Sequence, residues 1–130
     1  MTAKPELPRR PVAVTVASAA LATGTHYLDF GGNPTVVAEG ERLSVNPTGN
    51  PALATGGTGD VLSGAIAALL AAGLRPFDAA RLGVFLHGLA GDLLAEEKGV
   101  GLLAREVAEA LPRARRLLQE GRVPPAFFPR

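Results

Sequence analysis

Cysteine is absent from this 130-residue chain, which removes disulfides, thiolate nucleophiles and cysteine-ligated metals from consideration. Tryptophan is absent as well, and aromatic residues are few beside the sixteen glycines, so the core has to come from closely packed small helices. The two histidines, His26 and His87, stand too far apart to give a metal-ligand spacing, and no protein-built metal site is expected. Neither sign of charge is in excess: the formal net charge is +1, which leaves no basic field for nucleic acid. No apolar run approaches the ~20 residues needed to span a bilayer, so a membrane is not an expected partner. What the length does allow is one domain with a real core.

The densest basic cluster, Arg113, Arg115 and Arg116, reads as a solvated helix face with its cations near a helix end. At the start, Lys4, Arg9 and Arg10 precede Val12–Ala22, an outline of a signal peptide with a twin arginine. Pro11 and modest hydrophobicity weaken that outline, and the site described below belongs in the cytosol. The expected compartment is the cytoplasm.

Residues 1–11 are polar and hold three prolines, a loosely attached segment. Val12–Ala22 fits either a short strand or an alanine-rich helix, and its period does not separate the two. Thr23–Pro34 has the composition of a loop. Thr35–Ala38 and Arg42–Val45 flank Glu39-Gly40-Glu41 and predict a β-hairpin. Three helices are expected after it: Val61–Ala72, uncharged and read as buried; Pro76 to about Glu97, with a stripe from Ala79 to Leu93; and Leu102–Glu120, kinked or split at Pro112. The tail from Val123 reads as extended, and Phe127 and Phe128 would have to pack on the body or a partner. Two strands cannot cover three apolar helices, so more sheet from residues 12–28 or another chain is required. No internal repeat is visible.

The most informative stretch is Asn46-Pro47-Thr48-Gly49-Asn50-Pro51, followed by Gly56-Gly57-Thr58-Gly59-Asp60 at the mouth of a helix. Glycines that thin the backbone before a helix N-terminus free several N–H groups for an anion, which the helix dipole also favours. A P-loop is excluded, because Asp60 and Val61 stand where lysine and Ser/Thr are needed, and a dinucleotide fingerprint is excluded by Leu62. Asp60 has two readings that can coexist, an ordinary N-cap or a carboxylate that handles a proton beside the anion. Three glycines in four positions exceed what a cap needs. Asn46 and Asn50, each before a proline, shape turns or touch a ligand. Thr55 and Ser63 suit helix-surface packing or donation to phosphate. His87, beside Gly88 and Gly91, reads as a satisfied core histidine, and Asp92 as a solvated or pairing residue.

Asn46–Leu70, Leu86-His87-Gly88-Leu89-Ala90-Gly91-Asp92 and Gly101–Ala104 together resemble the C-terminal part of the ADP/ATP-dependent NAD(P)H-hydrate dehydratases, of the ribokinase-like superfamily. The likeness covers about Pro34–Leu111. It implies an α/β fold, here partial: a β-hairpin followed by three helices, with the N-terminal part of the usual sheet missing. The corresponding division is an atypical segment 1–30, a family part 31–122 and a tail 123–130, as in a fragment or a shortened gene product. The resemblance further implies ADP-dependent (or ATP-dependent) dehydration of hydrated NADH or NADPH, by phosphorylation of the substrate hydroxyl and loss of phosphate, with Mg2+ as the accompanying ion and a homo-oligomer as the assembly. It makes Asp60 the catalytic base and a substrate contact along with Asn46 and Asn50, and Gly57, Thr58 and Gly59 the anion hole for the nucleotide. A further nucleotide-binding segment falls on Gly31, Gly32, Asn33, Pro34 and Thr35, which lacks the family's lysine. The alternatives are a thiazole- or pyrimidine-type kinase of the same superfamily, and a non-catalytic remnant that only binds nucleotide or a partner.

Overall fold

The computed structural model describes residues 25–28 and 35–123. Three strands, β1 (Thr25–Leu28), β2 (Val36–Glu39) and β3 (Arg42–Val45), form an antiparallel sheet in chain order. β1 lies within Thr23–Pro34, which the composition assigned to a loop. It pairs along the whole of β2, Thr25 opposite Glu39 and Leu28 opposite Val36. A four-residue strand flanked by glycines escapes a compositional reading, because its pairing partner is eleven residues downstream. β2 and β3 are the expected hairpin, with Val37 opposite Ser44 and Glu39 opposite Arg42. Gly40, at φ +58, supplies the left-handed turn that other residues adopt only at a cost. The readings of Val12–Ala22, the Gly31–Pro34 segment and the tail from residue 124 fall outside the described residues.

The two sheet faces differ. Alternation puts Val37, Glu39, Arg42 and Ser44 on one face, and Val37 is fully buried there. On the other face Leu43 and Val45 are exposed. On the covered side Arg42 stacks over Phe77, its guanidinium carbon 4.4 Å from the ring centroid, and Arg81 lies 5.5 Å from the same ring.

Three helices follow: α1 (Thr58–Ala71), α2 (Pro76–Lys98) and α3 (Ala104–Gln119). α2 is the spine. It carries Phe77, Ala79, Ala80 and Val84 into one core cluster with Val37, Leu62 and Ile66, and Leu86, Leu89, Ala90 and Leu93 into a second with Val107 and Ala114. Each large side chain so buried contributes about 1.5–3 kcal/mol. Small residues set the spacing: a Cβ on Gly83 would come within 2.5 Å of Ile66 Cγ1, so α1 crosses α2 at that glycine.

Two expectations about the helices need correction. α1 is not buried all round; Thr58, Leu62 and Ile66 form a single buried stripe while Gly64, Ala67 and Ala68 are exposed. Its uniform apolarity concealed that stripe, since alanine tolerates either side of a surface. α3 is also unbroken at Pro112. Pro112 is exposed, as is Ala108 one turn earlier, so the carbonyl that loses its N–H partner can be hydrated on the solvent face. Among the described residues no helix is long and apolar enough to cross a membrane.

Candidate functional site

From β3 into the first turn of α1 the chain crosses the middle of α2 as a fifteen-residue stretch, residues 46–60, interrupted by one 3-10 turn, Pro51–Leu53. Its first half is bolted to α2. Asn46 is 5% exposed and donates both amide hydrogens, to Val84 O at 3.1 Å and to Thr48 O at 3.0 Å. The Thr48 hydroxyl donates to Phe85 O at 2.8 Å. Asp92, 2% exposed, accepts from the Gly49 N–H at 2.9 Å and from Asn50 Nδ2 at 2.8 Å. Asn50 in turn caps the 3-10 turn, its Oδ1 accepting from the Ala52 N–H at 2.9 Å. Burial raises the Asp92 carboxyl above its ordinary pKa, and the Gly49 and Asn50 hydrogen bonds offset part of that rise. Asp92 is therefore a pairing residue and not a solvated one.

Gly88 makes this seating possible. A Cβ there would stand 2.6 Å from the Thr48 carbonyl carbon and 2.8 Å from Gly49 N, inside any permissible contact. The remaining space under the loop, about 20 Å3, is room for one water. Asn46 and Asn50 line that small space with their amides committed to the protein.

The second half opens outward. Gly57 caps α1 at φ +91 with no side-chain capping bond. The helix starts at Thr58, so Asp60 lies in its first turn and is not the N-cap residue that a lone aspartate before a helix would suggest. Its N–H donates to Gly57 O at 3.2 Å, and that of Thr58 to Thr55 O at 3.3 Å. The Gly57 and Gly59 amides have no acceptor among the described residues. The Gly56 amide has none either; the Gly57 and Gly59 amides, more than that of Thr58, are the unspent donors of the glycine run on residues that also line the site. They share with Asp60 a concavity of about 280 Å3 lined by Leu53, Ala54, Thr55, Gly57, Thr58, Gly59 and Asp60. Asp60 is exposed at its rim, and Thr55 turns its hydroxyl inward to Ala52 O at 3.2 Å.

The Thr58 side chain points the other way. Its hydroxyl lies 2.7 Å from Leu53 O and 2.8 Å from Thr55 O, and its carbonyl oxygen lies 2.9 Å from His87 Nε2. Thr35 stands apart from the rim, where its carbonyl accepts from the Asn46 N–H at 2.7 Å. A larger groove, about 470 Å3, runs between β3 and α2 over Leu74, Leu82, Val84 and Phe85. It contains none of the glycine-run residues. Two anchors, His87 and Asp92, stand out only in three dimensions. Their signal was the pairing His87-Gly88 and Gly91-Asp92, which puts two polar and two minimal residues on one helix face.

Donor amides at a helix N-terminus beside a carboxylate, on a hairpin-led α/β scaffold, have the chemistry of an anion site. The family model for NAD(P)H-hydrate dehydratase matches residues 14–113, and the chain belongs to that family. It is 50% identical over 96 residues to the bifunctional NAD(P)H-hydrate repair enzyme Nnr of Thermofilum pendens, covering 72% of this chain and 18% of that protein. It is 49% identical over 82 residues to the ADP-dependent (S)-NAD(P)H-hydrate dehydratase of Neisseria meningitidis, covering 61% of this chain and 28% of that one. The ADP/ATP-dependent NAD(P)H-hydrate dehydratase of Bacillus subtilis, co-crystallised with ATP and Mg2+ and soaked with CoA, superposes with a TM-score of 0.66 at 40% identity, over 75% of this chain and 36% of that one. The chain thus spans well under half the length of these relatives and carries part of their fold. The match begins at residue 14, and β1 joins the hairpin's sheet from within the segment 1–30.

Proposed function

We propose that this chain carries the phosphoryl-handling site of an ADP-dependent NAD(P)H-hydrate dehydratase, acting on hydrated NADH or NADPH in the cytoplasm. The observation that carries this reading is that Gly57 and Gly59, whose amides have no acceptor among the described residues, share one concavity with Asp60. The substrate hydroxyl oxygen attacks the terminal phosphorus of ADP, the bond to AMP breaks, and Asp60 takes the hydroxyl proton. The two amides hold the transferred phosphoryl group, whose negative charge they meet without reorganising. Breakage of the carbon–oxygen bond then releases phosphate, and loss of a proton from the neighbouring carbon restores the reduced nicotinamide. Asn46 and Asn50 serve this site through the loop they pin.

The concavity presents one carboxylate, Asp60, which is fewer than an all-protein magnesium cage uses. It suits a Mg2+ that arrives on nucleotide phosphates and keeps its waters. Such an ion would supply charge neutralisation on the phosphates.

The test is NADPH absorbance regained when the folded chain meets hydrated NADPH with ADP. The expected result is ADP-dependent recovery, lowered about 10²–10⁴-fold by Asp60→Asn. Folded wild type without turnover would sink the enzymatic reading. If calorimetry then still showed ADP binding, the second reading, nucleotide binding without catalysis, would stand. One observation favours that second reading: Asp60 is exposed, and the concavity is lined by residues 53–60 alone among the described residues.

A further inference from the structure

His87 sits on the buried face of α2, 6% exposed, with Nε2 2.9 Å from the carbonyl oxygen of Thr58. A carbonyl only accepts, so Nε2 carries the proton. Helix geometry already gives that carbonyl a partner four residues on, at its first lone pair. The histidine occupies the second, so its bond is not needed to complete the helix. It reaches the peptide unit Thr58–Gly59, whose nitrogen has no acceptor among the described residues and belongs to the concavity.

A trans peptide points its C=O and its N–H in opposite directions. Fixing the Thr58 carbonyl on His87, beneath the loop, therefore aims the Gly59 N–H away from α2. Glycine at 59 leaves that peptide free to rotate, since no Cβ opposes the change in φ. First-turn residues also fray more readily than helix interiors. The Thr58 hydroxyl, within 2.8 Å of both Leu53 O and Thr55 O, anchors the residue on its other side.

We propose that His87 is a positioning residue that holds the Thr58–Gly59 peptide so that the Gly59 N–H faces the bound phosphoryl group. This rests on the reading that the Gly57–Asp60 loop binds the phosphates of ADP. Three measurements on the full chain test it. In the unliganded wild type, long-range nitrogen NMR of His87 should show protonated Nε2; a bare Nε2 overturns the proposal whatever the variants do. In His87→Leu, the Thr58 carbonyl and Gly59 amide shifts should move, and in His87→Gln, which keeps a donor, they should return toward wild type. Unchanged shifts in a folded His87→Leu overturn it.

With ADP as the probe, calorimetry should show binding weakened roughly 3- to 10-fold by His87→Leu and recovered by His87→Gln. Equal weakening by both variants reduces His87 to packing and also overturns the proposal. Wild type that fails to bind ADP removes the phosphate reading on which the proposal depends, while the shifts in the free protein still report whether His87 holds the peptide. Those two failures are therefore told apart.

Discussion

The two halves of the stretch that runs from β3 into the first turn of α1 lie against the same helix and are held in opposite ways. In residues 46–53, Asn46, Thr48, Gly49 and Asn50 each spend a donor on α2. In residues 54–60 the hydrogen bond to α2 is that of His87 to Thr58 O, and the Gly57 and Gly59 amides have no acceptor among the described residues. Buried donors are nearly always paired, as in the first half, while in the second Gly57 is exposed and its donor is left for solvent or a ligand, so the first half is the frame and the second the open rim. A binding rim is accurate only when the elements behind it are rigid.

The frame should fail hardest where it is tightest. Gly88→Ala puts a carbon 2.6 Å from one backbone atom of the loop and 2.8 Å from another, neither of which can rotate away. We expect a loss of about 3 kcal/mol, read as a fall in the urea midpoint. An unshifted midpoint would show that the loop moves freely over α2 and would dissolve the distinction between the halves.

Asp92 comes next. Asp92→Ala strands the Gly49 N–H and one Asn50 hydrogen in a buried place, a loss of about 2 kcal/mol. The charge also gives stability a pH dependence of known sign. Burial raises the folded pKa above the ordinary 3.8, so the folded state holds the proton more tightly than the unfolded one. This contribution is full below pH 3.8 and is lost as the pH rises through the raised value. Denaturation midpoints of wild type and Asp92→Asn, compared across that window, should show the decline in wild type and its absence in the variant. Parallel curves would place the pH dependence on other carboxylates.

Much of this comparison was legible before any coordinates. Three glycines ahead of an uncharged helix pointed to the loop whose amides stand open, and the runs Thr35–Ala38 and Arg42–Val45 on either side of Glu39-Gly40-Glu41 announced the hairpin, because both signals are local. β1 was missed, since a four-residue strand is defined by its partner and not by its own composition. The continuity of α3 through Pro112 was left open between a kink and a split for a similar reason: whether a proline breaks a helix depends on which side faces water. His87 and Asp92 were visible as residues on a helix face, but their roles needed the fold to bring Thr58 and Asn50 to them. The cap reading of Asp60 failed by three positions, because Gly57 ends the loop with a left-handed turn that aspartate would not favour.

The smallest effects separate glycines within the open half itself. Gly57 is at φ +91 with the Ala104 Cβ 3.1 Å from the Cβ it lacks. An alanine there meets both backbone strain and a crowded neighbour, and about 1–2 kcal/mol of stability should be lost. Gly56 has an ordinary φ and open space around it. Gly56→Ala should leave stability unchanged or raise it by about 0.4–1 kcal/mol, through the lost freedom of the unfolded chain. Thermal melts of the two variants beside wild type make the measurement. If Gly56→Ala keeps its melt but weakens ADP binding, Gly56 is there for the close approach of a ligand. If both melt and binding survive, the functional glycines of the run reduce to Gly57 and Gly59, the two that line the concavity with Asp60.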